Sequence, residues 1–245
     1  MKEGVTIKQS IIDKYYRYSI RKKVTTRALI VVGTIIALIV FLTYYGTQVG
    51  NFVISIKGMY DAGISLYDNS NEKQLTTRLT AKPLSDGIDA AYTDIPNDIG
   101  SIDGSHNADD GRYLAYTFYL VNSGTIDCNV RMEMSLTDSR KDINKILRVL
   151  IIKDSDNKQD GTVYAAPKDD GTPEAIIPQD VDPTTDYGLT TPFTGNQVVS
   201  TDYTDFQVGE VYKFTIVMWL DGWDSDESQD MLGGALKTQV NFSIY

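Results

Sequence analysis

The residues with the greatest capacity for chemistry in this chain are acidic and lie in two loops. One holds Asp154, Asp156, Asn157 and Asp160 ahead of Gly161; the other holds Asp221, Asp224, Asp226, Glu227 and Asp230. Calcium takes six to eight oxygens at flexible spacing, which such loops can supply. Neither loop follows the EF-hand pattern, since Lys158 occupies the fifth position of the first. The second lies between two strong strands, so Asp221, Asp224, Asp226 and Asp230 form the expected metal set. Calcium is the one cofactor these residue types admit. The plain alternative is that acidic loops keep hairpin tips soluble. Zinc chemistry lacks ligands: the single histidine, His106, has no His-Glu-x-x-His helix around it, and one histidine cannot fill a catalytic zinc site. A serine triad on His106 lacks its Gly-x-Ser-x-Gly elbow, and no glycine-rich phosphate loop is present. His106 therefore reads as an exposed loop residue, and the chain as a non-enzyme. The lone Cys128 excludes an internal disulfide and reads as a packed or edge residue.

Charge locates these loops relative to a boundary. Residues 1–27 carry eight Lys/Arg against two Asp/Glu, a net +6, which leaves −16 on the remainder of a chain whose total is −10. Such an acidic bulk excludes nucleic acid as a partner, because phosphate binding needs a Lys/Arg surface. Between tail and bulk runs Ala28–Tyr45, ALIVVGTIIALIVFLTYY, without a charge or a proline. Its eighteen residues would span about 27 Å as a helix, close to the thickness of a bilayer core. A basic flank on one side and Tyr44 and Tyr45 on the other predict a transmembrane helix with a cytoplasmic tail. A cleaved secretory signal is the competing reading, opposed by the length of the run and by bulky tyrosines where small residues belong. Within the tail, Ile7, Ile11, Ile12, Tyr15, Tyr16 and Ile20 recur at helical spacing among basic residues. That pattern suits either an amphipathic helix on an anionic leaflet or a solvated extension of the span.

Past Gly46 the pattern becomes short alternating runs separated by turn residues, the signature of strands. The first is Phe52, Val53, Ile54, Ser55 and Ile56; Ile64–Tyr67 and Leu75–Leu79 follow. Ala91–Gly111 reads as polar and turn-rich. Tyr113–Val121 and Ile126–Leu136, joined by Asn122-Ser123-Gly124, read as a β-hairpin with one buried face. Asp142–Leu147 has apolar residues at helical spacing and predicts one short helix. Strands follow at Arg148–Ile152 and Thr162–Ala165, and residues 167–192, with five of the seven prolines, read as loop. Val211–Leu220 and Ala235–Ile244 close the chain. Exposed tyrosines are expected at Tyr92, Tyr187 and Tyr203. The fold class that follows is mainly β: an antiparallel sandwich over 46–245 preceded by a transmembrane helix over 28–45.

Three stretches resemble the TasA/camelysin family of Gram-positive surface and biofilm-matrix proteins. They are Ile54-Ser55-Ile56-Lys57 … Ala62-Gly63-Ile64-Ser65-Leu66 just after the apolar run, Tyr116–Gly124 in the middle, and Val208-Gly209-Glu210 leading into Phe214–Gly222 near the end. The resemblance implies a jelly-roll-like sandwich and a subunit that polymerises by inserting Phe52–Ile56 into a neighbour's sheet. A donated strand of this kind satisfies an exposed sheet edge through main-chain hydrogen bonds. The longer basic tail and the lack of a clear leader-cleavage site depart from that family and leave a second role for Phe52–Ile56, a tether strand paired within its own domain. The expected function is a membrane-anchored structural or interaction protein of the cell surface, with membrane lipid, other copies and matrix proteins as partners. The alternatives are a secreted matrix fibre subunit, a metal-dependent surface protease, and an accessory subunit of a larger membrane complex.

Overall fold

The computed structural model describes residues 32–34, 52–59, 62–84, 87–224, 226 and 229–245. The chain divides into two compact units, Met1–Val49 and Gly50–Tyr245. In the first, Val32–Thr34 are helical and exposed. The basic tail and nearly all of the expected span lie outside the described residues. Among the described residues, no helix is long and apolar enough to cross a membrane.

The second unit is built from two mixed sheets. In chain order the described strands are β1 (Phe52–Ile56), β2 (Ile64–Tyr67), β3 (Arg78–Thr80), β4 (Asp89–Ala90), β5 (Gly104–Ser105), β6 (Tyr113–Asn122) and β7 (Cys128–Arg140). They continue with β8 (Leu147–Lys153), β9 (Thr162–Ala165), β10 (Thr191–Pro192), β11 (Gln197–Phe206), β12 (Val211–Asp221) and β13 (Ala235–Ile244). The first sheet runs β11-β7-β13-β1-β3. The second runs β10-β9-β8-β12-β6-β2, with β4 added to β12 and β5 to β6. Most pairs are antiparallel, but β1 lies parallel to β13, β10 to β9 and β4 to β12. The purely antiparallel sheet expected from sequence is thus corrected. Strands far apart in sequence need no tight turn between them, so connectivity leaves β1 free to run either way beside β13.

Strand succession proves a poor guide to pairing. β6 and β7, expected as a hairpin, belong to opposite sheets: β6 pairs with β2 and β12, and β7 with β11 and β13. Asn122-Ser123-Gly124 therefore arches across the core instead of turning within one sheet. β12 and β13 are split in the same way. Alternating hydrophobicity reports which face of a strand is buried, not which strand lies beside it. The helix expected at Asp142–Leu147 is a tight turn, with Lys141 and Asp142 at φ 61° and 55°. Its apolar spacing is satisfied by Ile143 and Ile146 packing on Met231 in a small separate core. The strand expected at Leu75–Leu79 is shifted to Arg78–Thr80.

Phe118, Phe214 and Phe242 meet at the centre of the main core, with ring centroids 5.4–6.0 Å apart. Leu114, Tyr116, Phe118 and Leu120 of β6 face Val130, Met132 and Met134 of β7 across that core. The opposite face of the second sheet is buried as well. Ala115, Leu150, Ile152, Val163, Val217 and Trp219 pack under Ile95 and Ile99. The segment read from sequence as polar loop thus covers a second apolar layer.

Candidate functional site

The strand that the resemblance singles out lies deep in the first sheet. Phe52, Ile54 and Ile56 of β1 point into the main core, and Phe52 meets Tyr116 edge-on at 6.3 Å. Val53 is also buried, and Ser55 on the outer face hydrogen-bonds to the Asn241 side chain at 2.8 Å. Both edges of β1 are used: Ile54 stands opposite Val240 of β13 on one side and Leu79 of β3 on the other. At its ends, Lys57 N donates to Phe242 O (3.0 Å) and Ala81 N to Phe52 O (3.1 Å). In the single chain, β1 therefore pairs within its own domain. Burial of three large side chains at about 2 kcal/mol each puts roughly 6 kcal/mol on this strand. Only β3, three residues long, covers its far edge.

One buried side chain ties together the three arches at the far end of β1. Asn122 is wholly inaccessible. Its Nδ2 donates to Phe206 O (2.9 Å) and Ile126 O (3.1 Å), and its Oδ1 accepts from Gly124 N (3.0 Å). Its main chain donates to Glu210 O and accepts from Gly209 N. The β1–β2 arch closes on the same point, where Ser123 N donates to Gly63 O at 2.9 Å. Gly63 has φ 84°, and a Cβ there would lie 2.4 Å from Gly124 Cα, so the backbones cross at a distance only glycine allows. From sequence, Asn122 reads as a turn residue. Its partner Gly124 crosses Gly63, and nothing in the spacing of the two glycines shows it.

The four aspartates expected to hold calcium are brought only partly together. Asp221 and Asp224 are buried; Asp224 accepts from Arg148 Nη2 at 2.7 Å, and Asp221 is ion-paired with the same atom at 3.1 Å. Arg148 is 1% exposed and sits opposite Trp219 in the β8–β12 register. Its Nε and Nη1, and Trp219 Nε1, have no hydrogen-bond partner among the described residues. Burial pushes the Asp221 carboxyl up, opposed by the Arg148 charge. Asp226 donates its N–H to Asp224 Oδ1 and lies 4.0 Å from Lys145, while Asp230 is exposed on a 3-10 turn at Gln229–Met231. The convergent carboxylates thus enclose a guanidinium. In the first acidic loop, Asp154 pairs with Lys153, Asp156 with Lys213, and Asp160 accepts from Ser155. Among the described residues, no group of three or more His, Cys, Asp or Glu is arranged to hold a metal ion.

His106 is not the exposed residue its sequence context suggests. It is half-buried, with Nδ1 2.8 Å from Gly104 O and Nε2 2.9 Å from Ile99 O. Both ring nitrogens face main-chain carbonyls, so neither faces a nucleophile. Lys158 holds the covering segment in a similar way, donating to Tyr92 O (3.0 Å) and Ile95 O and lying over the Tyr92 ring; burial pushes its amine down. Tyr203, expected in a loop, lies in β11 and packs on Tyr212 and Phe214. Cys128 opens β7 opposite Phe206, half-buried, and burial pushes its thiol up.

No protein-family model matches the chain, and no curated protein matches it.

Proposed function

We propose that this protein is a structural component of a Gram-positive-type cell surface. The apolar run at 28–45 holds it in the membrane, and copies assemble outside by exchanging β1, as in the TasA/camelysin family that its motifs resemble. One observation carries this reading: β1 is the first strand of the sandwich, yet it fills an interior slot between β13 and β3. Its parallel partner is the last strand, so no turn requires the two to belong to one molecule. Only residues 57–63 join β1 to β2. Extended, such a seven-residue linker reaches about 23 Å, enough to carry β1 out of one domain and into another. The vacated slot would expose unpaired β13 and β3 edges above an apolar trough, a template for the same strand of a neighbour. The role is not enzymatic, which suits a histidine whose ring nitrogens both face the main chain.

Surface material extracted with detergent tests the reading by N-terminal sequencing and size analysis. The expected result is an intact basic tail on a series of oligomers. A soluble monomer would overturn it. Oligomers starting near residues 46–51 would support assembly and replace the anchor with a cleaved leader.

A further inference from the structure

Residues 68–84 run from the edge of the second sheet to the edge of the first, and their main chain is bonded to both. At Thr76 the segment pairs with β2, the end strand of the second sheet. Leu66 N donates to Thr76 O and Thr76 N to Leu66 O, each at 2.8 Å. Directly afterwards it pairs with β1 as β3, the end strand of the first sheet. Ile56 N donates to Thr77 O (3.1 Å) and Ala81 N to Phe52 O (3.1 Å); between them Ser55, Ile54 and Val53 stand opposite Arg78, Leu79 and Thr80. The segment is thus a strap from one sheet to the other, and β1 is the strand it covers.

The strap is lightly held. From Asn71 to Thr80 every side chain except Thr76 and Leu79 is exposed, and among the described residues β3 ends its sheet. Its firmer ties lie at its two ends. Ser70 N and Oγ donate to Asp103 Oδ2 (2.7 and 2.5 Å), Lys82 N donates to Ser105 Oγ (3.0 Å), and Asn107 Nδ2 donates to Lys82 O (3.0 Å). Local opening costs least where few apolar groups are buried. β1 by contrast buries Phe52, Ile54 and Ile56 and lies between two ladders. An interior strand leaves a sheet only by breaking both its ladders, whereas an edge strand breaks one. Lifting the strap turns β1 from the first kind into the second. The β13 ladder cannot set this control, since a neighbour's β1 remakes it with the same residues.

We propose that residues 76–81 are a latch that gates the exchange of β1 between copies. Closed, it keeps each first strand in its own domain; lifted, it leaves β1 an edge strand that a second copy takes up and replaces. The inference rests on the reading of β1 as an exchanged strand and adds where that exchange is controlled. Thr76 is the residue that separates the two, because its paired bonds run to β2 and not to β1.

Full-length chains carrying Cys128→Ser and Ser55→Cys are mixed in detergent with differently sized chains carrying Cys128→Ser and Asn241→Cys. The disulfide joining the two kinds is followed with time, and amide hydrogen exchange over residues 76–81 reads the latch itself. Thr76→Pro, placed in both chains, removes the N–H that Leu66 O accepts. The expected result is faster amide exchange at the latch and mixing about tenfold faster than in the parent, the scale of one lost main-chain hydrogen bond. Gly171→Ala, in an exposed turn where a Cβ meets nothing, leaves both rates at the parent level. Should Thr76→Pro unfold the domain, Leu79→Ala loosens the same latch from its inward side, where Leu79 packs on the main core. A latch that opens while mixing stays at the parent rate overturns the proposal and leaves strand exchange standing, as does equal acceleration by Gly171→Ala. No mixed disulfide from any pair of chains overturns both.

Discussion

Replacing Asn122 by alanine removes three hydrogen bonds at the point where the arches meet. Two carbonyls, Phe206 O and Ile126 O, lose their donor, and Gly124 N loses its acceptor. A buried polar group left unpaired costs about 1–3 kcal/mol. Phe206 O is buried and bears the full penalty, while the part-buried groups at residues 124 and 126 regain some water. The total comes to about 3 kcal/mol. For a domain of this size each kcal/mol moves Tm by about 2–4 °C, so Asn122→Ala lowers it by roughly 6–12 °C. Asn122→Asp sharpens the test, since it keeps the shape and the acceptor but brings a carboxylate against two carbonyl oxygens. It is therefore at least as damaging as alanine. Thermal unfolding of the Gly50–Tyr245 unit, followed by circular dichroism, reads both variants. An aspartate variant as stable as the parent would show that Asn122 only fills space, and the reasoning would fail.

Two further predictions concern packing and acid. Gly63→Ala and Gly171→Ala share a φ near 84°, but a Cβ at 63 meets Gly124 backbone at 2.4 Å while one at 171 meets nothing. Alanine at 171 should cost about 1 kcal/mol, whereas alanine at 63 should prevent the domain from folding; comparable melting curves would refute the crossing. Asp103 accepts from Ser70 and from Tyr119 Oη; burial pushes its carboxyl up, but these bonds prevail and hold it below the ordinary 3.8. A depressed folded-state value stabilises above the unfolded one and is lost as pH falls through the folded one. Wild type should therefore lose more stability than Asp103→Asn on acidification below about pH 4, and parallel pH profiles would contradict the assignment.

Strand positions were legible in the sequence where strong alternation met a buried face, as in Tyr113–Val121 and Ala235–Ile244. β11 was not, because Ser200, Asp202 and Thr204 break its apolar run on the solvent side of an edge strand. Partnership between strands was also illegible. β6, Asn122 and β7 look like a hairpin because turn chemistry is local, whereas the choice of sheet is made by packing far along the chain. The acidic loop shows the same limit. Its oxygens could be counted from sequence, but the cation they surround, Arg148, lies 73 residues before Asp221 and reaches it only through the β8–β12 register. His106 reads as a free loop residue because backbone carbonyls, its actual partners, leave no trace in residue identity.

Exchange of β1 between copies is tested most directly at Ser55 and Asn241, register partners whose side chains touch on the outer face of the first sheet. Adjacent strands lie about 4.8 Å apart, which suits a disulfide. With the native thiol removed by Cys128→Ser, cells co-express one chain carrying Ser55→Cys and a differently sized chain carrying Asn241→Cys. A mixed disulfide joining one chain of each kind in surface material is the predicted result. Absence of that species, while a chain carrying both substitutions oxidises within itself, would show that each domain keeps its own first strand.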